Sequence, residues 1–302
     1  MQINTKKKLT AGLSILSNIV LTSLKIFAGI ISGSLSIISE AIHSFSDFFA
    51  SVITFFSVLK SSEPADSDHP YGHGKYEEMA GFIEGVLILL ASFFIVYESA
   101  KKIILGLPAE TENLLGISVM FLAVVMNIFV SSLLFKVAKE SGSISLYADG
   151  EHLRTDVYSS LGVLAGLVLI KITGYGILDP IIAILVAMII YRTGYTLSKK
   201  ALMNLLDHSL PDEDIEKIKN IVNSFSASVK LKENSIKTRQ SGPLKDIDLI
   251  LQFPHGTTIC ECHKICDQIE EQIQKLYFNA SISIHSEPEC YNKDCQNSCS
   301  FR

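Results

Sequence analysis

His43-Ser44-Phe45-Ser46-Asp47 and His152-Leu153-Arg154-Thr155-Asp156 each set an imidazole and a carboxylate four residues apart. Four residues is close to one helical turn, so on a helix each pair shares a face. Two imidazoles and two carboxylates are the nitrogen and oxygen donors that suit a tetrahedral Zn²⁺-like ion. Both pairs lie in segments apolar enough to cross a bilayer, where ionisable groups are costly and usually functional. A span starting near residue 35 puts Asp47 about 18 Å deep, and one starting near 145 puts Asp156 about 16 Å from the opposite face. In a hydrocarbon core of about 30 Å, both pairs come close to the middle. For either pair alone, a local polar cluster bonded to a neighbouring helix is an equally good reading. Four ionisable groups at one depth favour a shared ion.

Two further constellations offer metal ligands. In Asp66-Ser67-Asp68-His69-Pro70-Tyr71-Gly72-His73-Gly74-Lys75, the residues Asp66, His69 and His73 suit a site at a membrane mouth, although Pro and Gly alone would spell a turn. Near the end of the chain stand His263, His285 and Glu287. A spacing of two on a strand puts His285 and Glu287 on one side. All 6 Cys lie beyond position 259, and Cys290, Cys295 and Cys299 form a loose run, weaker than a doubled Cys-x₂-Cys.

The elements that must position these residues are read from composition. With 48% hydrophobic and 19% charged residues, the chain is less charged than a soluble domain, which carries about 25%. Six apolar segments occur at roughly 10–32, 35–59, 79–104, 112–137, 145–172 and 177–197, each long enough to span. The first lacks a small-residue cleavage site and runs into the next, so it reads as a retained span, not a cleaved signal. Six spans return both termini to one side. Lys6, Lys7, Lys8, Lys136, Lys139, Arg192, Lys199 and Lys200 put that side in the cytoplasm, against Lys101, Lys102 and Lys171. A net charge of −5 argues against a nucleic-acid partner.

Three regions follow: a six-helix membrane domain over 1–208, a cytoplasmic α+β domain over 209–290, and an irregular Cys-containing tail over 291–302. In the second, Pro211 opens a helix running to about 225. Strands are expected at 229–238 and 245–253 around the Ser241-Gly242-Pro243 turn, a helix at 258–277 and a strand at 280–286. The order αββαβ predicts a small ferredoxin-like domain.

Taken together, these motifs resemble the cation diffusion facilitator family of divalent-metal transporters. The likeness runs from about Leu9 to Pro288. It includes Ser32-Gly33-Ser34, Glu40-Ala41-Ile42-His43-Ser44 with Asp47, His69 through Glu77, Ala148-Asp149-Gly150-Glu151-His152 with Asp156, Leu178-Asp179-Pro180, Thr238 through Pro243, and Ile284 through Pro288. The resemblance implies a six-span homodimer in the inner membrane, with a cytoplasmic metallochaperone-like domain, exchanging metal outward for protons. It implies a transport site of His43, Asp47, His152 and Asp156, a loop site of Asp66, His69 and His73, and a tail site of His263, His285 and Glu287. It also implies a charge pair between Lys75 and Asp207. Two further tail ligands of relatives fall at Asn234 and Ile250, which implies an altered tail site. The donor set favours Zn²⁺ as cargo, with Fe²⁺, Cd²⁺, Co²⁺, Ni²⁺ and Mn²⁺ as alternatives. No His-Glu-x-x-His motif is present, which argues against an intramembrane metalloenzyme. A membrane-anchored metal sensor is the other reading.

Overall fold

The computed structural model describes residues 2–32, 35–105, 114–173, 175, 177–232, 235–277 and 279–289. Within its helices, the side chains of residues 2, 29, 32, 35–43, 45, 46, 114–117, 163–168, 170, 171 and 179 are outside the description. The chain divides into two compact units, Met1–Leu205 and Leu206–Arg302.

The first unit is built from α1 (Gln2–Ser32), α2 (Leu35–Ser61), α3 (Lys75–Leu105), α4 (Leu114–Ser141), α5 (Ile144–Thr173) and α6 (Leu178–Leu205). Helices of 27 to 31 residues are about 40–46 Å long, more than a hydrocarbon core requires. Among the described residues, stretches of α1, α3, α4 and α6 are long and apolar enough to cross a membrane. The helices overrun the apolar runs: α3 begins at Lys75 and α6 continues to Leu205. Gly142 ends α4 in the left-handed region, at φ 69°, where a side chain would be strained. Ser143 then accepts the amide of Leu146 at 3.4 Å to open α5.

Polarity is inverted relative to a water-soluble bundle. Phe27, Ile30, Phe56, Phe93, Phe94 and Phe121 point outward, while Ser14, Asn18, Ser51, Thr54, Glu84 and Asp149 are buried. Such a surface suits lipid, and small polar residues let helices approach and bond one another. Glu77 shows the principle at one end of the bundle. Its buried carboxylate accepts from the Lys7 ammonium of α1 and from Ser143. Ser61 of α2 adds a bond at 2.8 Å and Ser145 of α5 one at 3.4 Å. Apolar contacts fill the rest. Ala11, Val58, Leu134 and Leu153 join α1, α2, α4 and α5, and Ile88, Ala148, Ile190 and Leu197 join α3, α5 and α6.

The second unit runs α7 (Asp212–Asn223), β1 (Lys230–Leu231), β2 (Lys237–Ser241), β3 (Leu244–Phe253), α8 (Ile259–Leu276) and β4 (Ala280–Pro288). The first expected strand, 229–238, is thus two short strands. Both pair antiparallel with β3, at Leu231↔Leu251 and Thr238↔Ile247. β4 runs parallel to β3 along its other edge. Pro211 caps α7, which carries Asp212, Glu213 and Asp214 in its first turn, and Thr258 forms a capping box with Glu261 on α8. Ile247, Leu249, Leu251 and Phe253 alternate along β3 into one core with Ile218, Val222, Ile269 and Ile273. The charge pair expected between Lys75 and Asp207 joins different units; within its own unit, Asp207 lies 3.7 Å from Arg239.

α3 and α6 approach closely at Gly85. A Cβ on Gly85 would lie 2.4 Å from Ser198 Oγ and 2.8 Å from the Ser198 nitrogen, so the backbones would have to part. Gly85→Ala is therefore expected to cost about 1–3 kcal/mol by overpacking. It should lower the apparent melting temperature of the detergent-solubilised protein by several degrees. An unchanged melting curve would show that the two helices separate freely.

Candidate metal centres

Two places bring three metal-ligating side chains within 4.8 Å of one another among the described residues: Asp47, His152 and Asp156, and separately Asp66, His69 and His73. The first lies inside the helical bundle. α2 supplies Asp47, and α5 supplies His152 and Asp156 on consecutive turns of one face. His152 Nε2 and Asp47 Oδ1 are 3.1 Å apart, joining residues 105 positions distant in sequence. Both side chains are buried, at 6% exposure each, and Asp156 is half-buried. His152 Nδ1 has no hydrogen-bond partner among the described residues. His43 precedes Asp47 by four residues on α2, and its side chain lies outside the described residues.

Asp47 and Asp156 also line a small cavity of about 30 Å³, together with Lys25 and Asn18 of α1, Ser44 of α2 and Asn127 of α4. A space of that size holds about one water molecule or a small ion. Lys25, Asn127, Glu84 and Asp149 escape a reading of His and Asp spacing. Their signal in the sequence is a polar or charged side chain inside an apolar run. Asp149 accepts from Ser51 at 3.1 Å, and Ser51 in turn accepts from Asn18 at 2.6 Å. Thr54 donates to Glu84. One oxygen of each of these two carboxylates is buried without a hydrogen-bond partner among the described residues.

The second group is on the loop between α2 and α3, and it is built by a tight turn. Asp66 Oδ1 accepts from the amides of His69 at 2.7 Å and Asp68 at 3.0 Å. His69 Nδ1 lies 3.3 Å from the same oxygen, and His73 Nε2 lies 3.3 Å from Asp66 Oδ2. The imidazole rings of His69 and His73 are 4.4 Å apart. Asp66 and His69 are exposed and His73 is buried. The His69 amide, then the Asp68 amide and the imidazoles, hold the Asp66 carboxyl below the usual carboxylate range.

The tail residues do not converge in this way. His263 is exposed on α8 and lies 3.4 Å from Asp267. His285 and Glu287 are 3.8 Å apart on β4, and Glu287 accepts from Lys232 at 2.8 Å. Cys266 of α8 sits 3.7 Å from Ser286, so α8 faces the strand side opposite His285. A cavity of about 430 Å³ is lined by His255, Cys262, His263, Cys266 and Glu287, without His285. Ile250 pairs with His285 across the β3–β4 ladder, placing an aliphatic side chain beside that imidazole. Asn234, Cys290, Cys295 and Cys299 lie outside the described residues.

Comparison with known proteins agrees with this layout. The family model for the cation efflux transmembrane domain matches residues 12–206, and that for the cation efflux protein cytoplasmic domain matches residues 210–289. The uncharacterized transporter sll1263 of Synechocystis sp. is 31% identical over 278 residues, covering 92% of this chain and 89% of its own. The cation-efflux pump FieF of Shewanella oneidensis is 28% identical over 281 residues, covering 93% of this chain and 94% of its own. A solved zinc form of CzrB, 27% identical, covers 29% of this chain and 98% of its own at a TM-score of 0.26.

The Asp66 turn carries a pH prediction. A carboxylate with a depressed folded pKa contributes stability above its unfolded value, about 3.9, and loses it as pH falls through the folded value. Amide protection at Asp68 and His69 should therefore persist from pH 7 to 5, and Asp66→Ala should abolish it at every pH. Hydrogen exchange, corrected for intrinsic rates, reads this directly. Protection that collapses near pH 6 in the wild type would contradict it.

Proposed function

Because the chain belongs to the cation diffusion facilitator, or cation efflux, family of membrane transporters, we propose that it exports a divalent metal ion, foremost Zn²⁺, in exchange for protons. The observation that carries this reading is the convergence of Asp47, His152 and Asp156 between α2 and α5. His43, one turn before Asp47, is the proposed fourth ligand. Two carboxylates balance the charge of the ion, and imidazole nitrogen favours Zn²⁺ over ions that prefer all-oxygen sites. Fe²⁺, Cd²⁺, Co²⁺, Ni²⁺ and Mn²⁺ are the secondary cargoes.

Imidazole ligates metal only as the neutral base, so protons compete with the ion for the same nitrogen. A proton arriving from the acidic side weakens the ligand set and releases the cargo. If the bundle opens to one side when loaded with metal and to the other when protonated, each ligand shifts the same equilibrium in opposite directions. Asp66, His69 and His73 are proposed to capture the ion at the cytoplasmic mouth. The C-terminal unit is proposed to lie in the cytoplasm with both termini, to assemble a homodimer in the inner membrane, and to tune transport through His263, His285 and Glu287.

Asp47→Ala and Asp156→Ala should each abolish Zn²⁺ flux in proteoliposomes while the protein stays folded. Losing one of four ligands removes several kcal/mol from a site of this type, given about 10–16 kcal/mol for structural zinc sites. Wild-type flux in either folded variant would sink the assignment. Flux should also require a proton gradient and slow as the loading side is acidified, since free imidazole titrates near 6.5. Metal movement that shifts no protons and ignores pH between about 5.5 and 8 would rule out exchange.

A further inference from the structure

The cavity shared by Asp47 and Asp156 contains a cation of its own. Lys25 of α1 lines it, and its ammonium donates to Ser44 Oγ at 2.7 Å. Ser44 sits one turn before Phe48 on α2, on the stretch that holds Asp47, and Lys25 is only partly exposed. The side chain is thus anchored against the wall of the space in which a metal ion would sit. A fixed positive charge there is unexpected if the pocket is built only to bind cations. Unlike a free proton or a metal ion, the side chain that carries it is tethered to α1.

We propose that Lys25 is a resident competitor of the cargo: it sets the affinity of the intramembrane site low enough for the ion to depart. The inference rests on the transport-site reading above and deepens it. Its logic is a count of charge. With neutral imidazoles and two carboxylates, a divalent ion without Lys25 makes a filled cavity of net charge zero and an empty one of −2. With Lys25 the filled cavity is +1 and the empty one −1. The penalty for burying charge grows with its square. Without the lysine, the filled state is therefore a deep well and the empty state is costly. With it, the two states carry equal magnitudes of charge, and the equilibrium between them becomes shallow. The 30 Å³ cavity makes the effect local, because it is only about one water diameter across. Asn127 complements this arrangement. Its buried Oδ1 has no hydrogen-bond partner among the described residues, so a neutral acceptor also lines the space.

The test compares Lys25→Gln, which can still bond Ser44 but carries no charge, with Lys25→Arg, which keeps the charge. Zn²⁺ is titrated into the full-length detergent-solubilised protein against a chromogenic chelator. Asp156→Ala identifies which binding event belongs to the intramembrane site. Lys25→Gln should tighten that event roughly tenfold or more, equivalent to about 1.4 kcal/mol. In proteoliposomes the same variant should lower both KM and kcat for Zn²⁺, whereas Lys25→Arg, which keeps the charge, should not tighten the intramembrane event. A merely structural lysine would instead weaken binding when removed. Lys25→Met is read in the same way should Lys25→Gln not be monodisperse. Tightening of less than threefold, or any weakening, overturns the inference. If that happens while Asp156→Ala still removes the event, the transport site stands and only the role of Lys25 falls. If Asp156→Ala removes no binding event, the transport site itself is overturned.

Discussion

The contact between His152 Nε2 and Asp47 Oδ1, 3.1 Å long and buried, is the constraint on which the helical unit depends. A lone carboxylate inside an apolar bundle is expensive, and pairing it with an imidazole offsets part of that cost. The pairing forces α2 and α5 together at one depth and one rotation. Once those are fixed, Asp156 follows on the next turn of α5 and the cavity opens toward α1 and α4. A buried ionic contact of this kind specifies an arrangement more than it stabilises one. Under the proposed reading, adding a metal ion or a proton there changes what holds the two helices in register.

The surrounding bundle is organised to tolerate this. Ser14, Asn18 and Ser51 relay hydrogen bonds from α1 through α2 to Asp149 on α5. Glu77 gathers Lys7, Ser61, Ser143 and Ser145, drawing the ends of several helices onto one carboxylate. Small residues serve the same end by geometry, as Gly85 does where α3 meets α6. Lipid supplies no hydrophobic force between helices, so close packing and these polar bonds must supply the specificity.

What was legible in the sequence follows from period and depth. A spacing of four becomes a shared face on any helix, which made Asp156 and His152 readable as partners, and the turn residues around Asp66 forecast a loop. Lys25 and Asn127 were not legible as site residues, because each lies on a helix that carries none of the His and Asp ligands. Sequence period says which way a side chain points on its helix, and nothing about which helix it will meet. The helices extend beyond the apolar segments for a related reason: Lys75 to Glu78 and Ser198 to Leu205 are too polar to read as membrane span, yet their backbone bonds continue the helix. In the C-terminal unit, the run at 229–238 reads as one strand from its β-prone residues, but among the described residues the ladder with β3 is at its two ends.

The two candidate metal-ligand groups differ in exposure, and under the proposed reading that difference gives direction to an ion's path. At the loop, Asp66 and His69 are exposed, so an ion held there would keep most of its water and exchange quickly. At the bundle group Asp47 and His152 are nearly sealed, so an ion held there would have to shed its hydration shell and take protein donors in return. Dehydration is worthwhile only when all the donors are in place, which couples occupancy to the closeness of α2 and α5. A resident lysine then matters most at this inner site, because charges there are little screened by water. Under the proposed reading, the loop group would bind without consequence for the fold, whereas the bundle group would not gain or lose an ion without changing the forces between its helices.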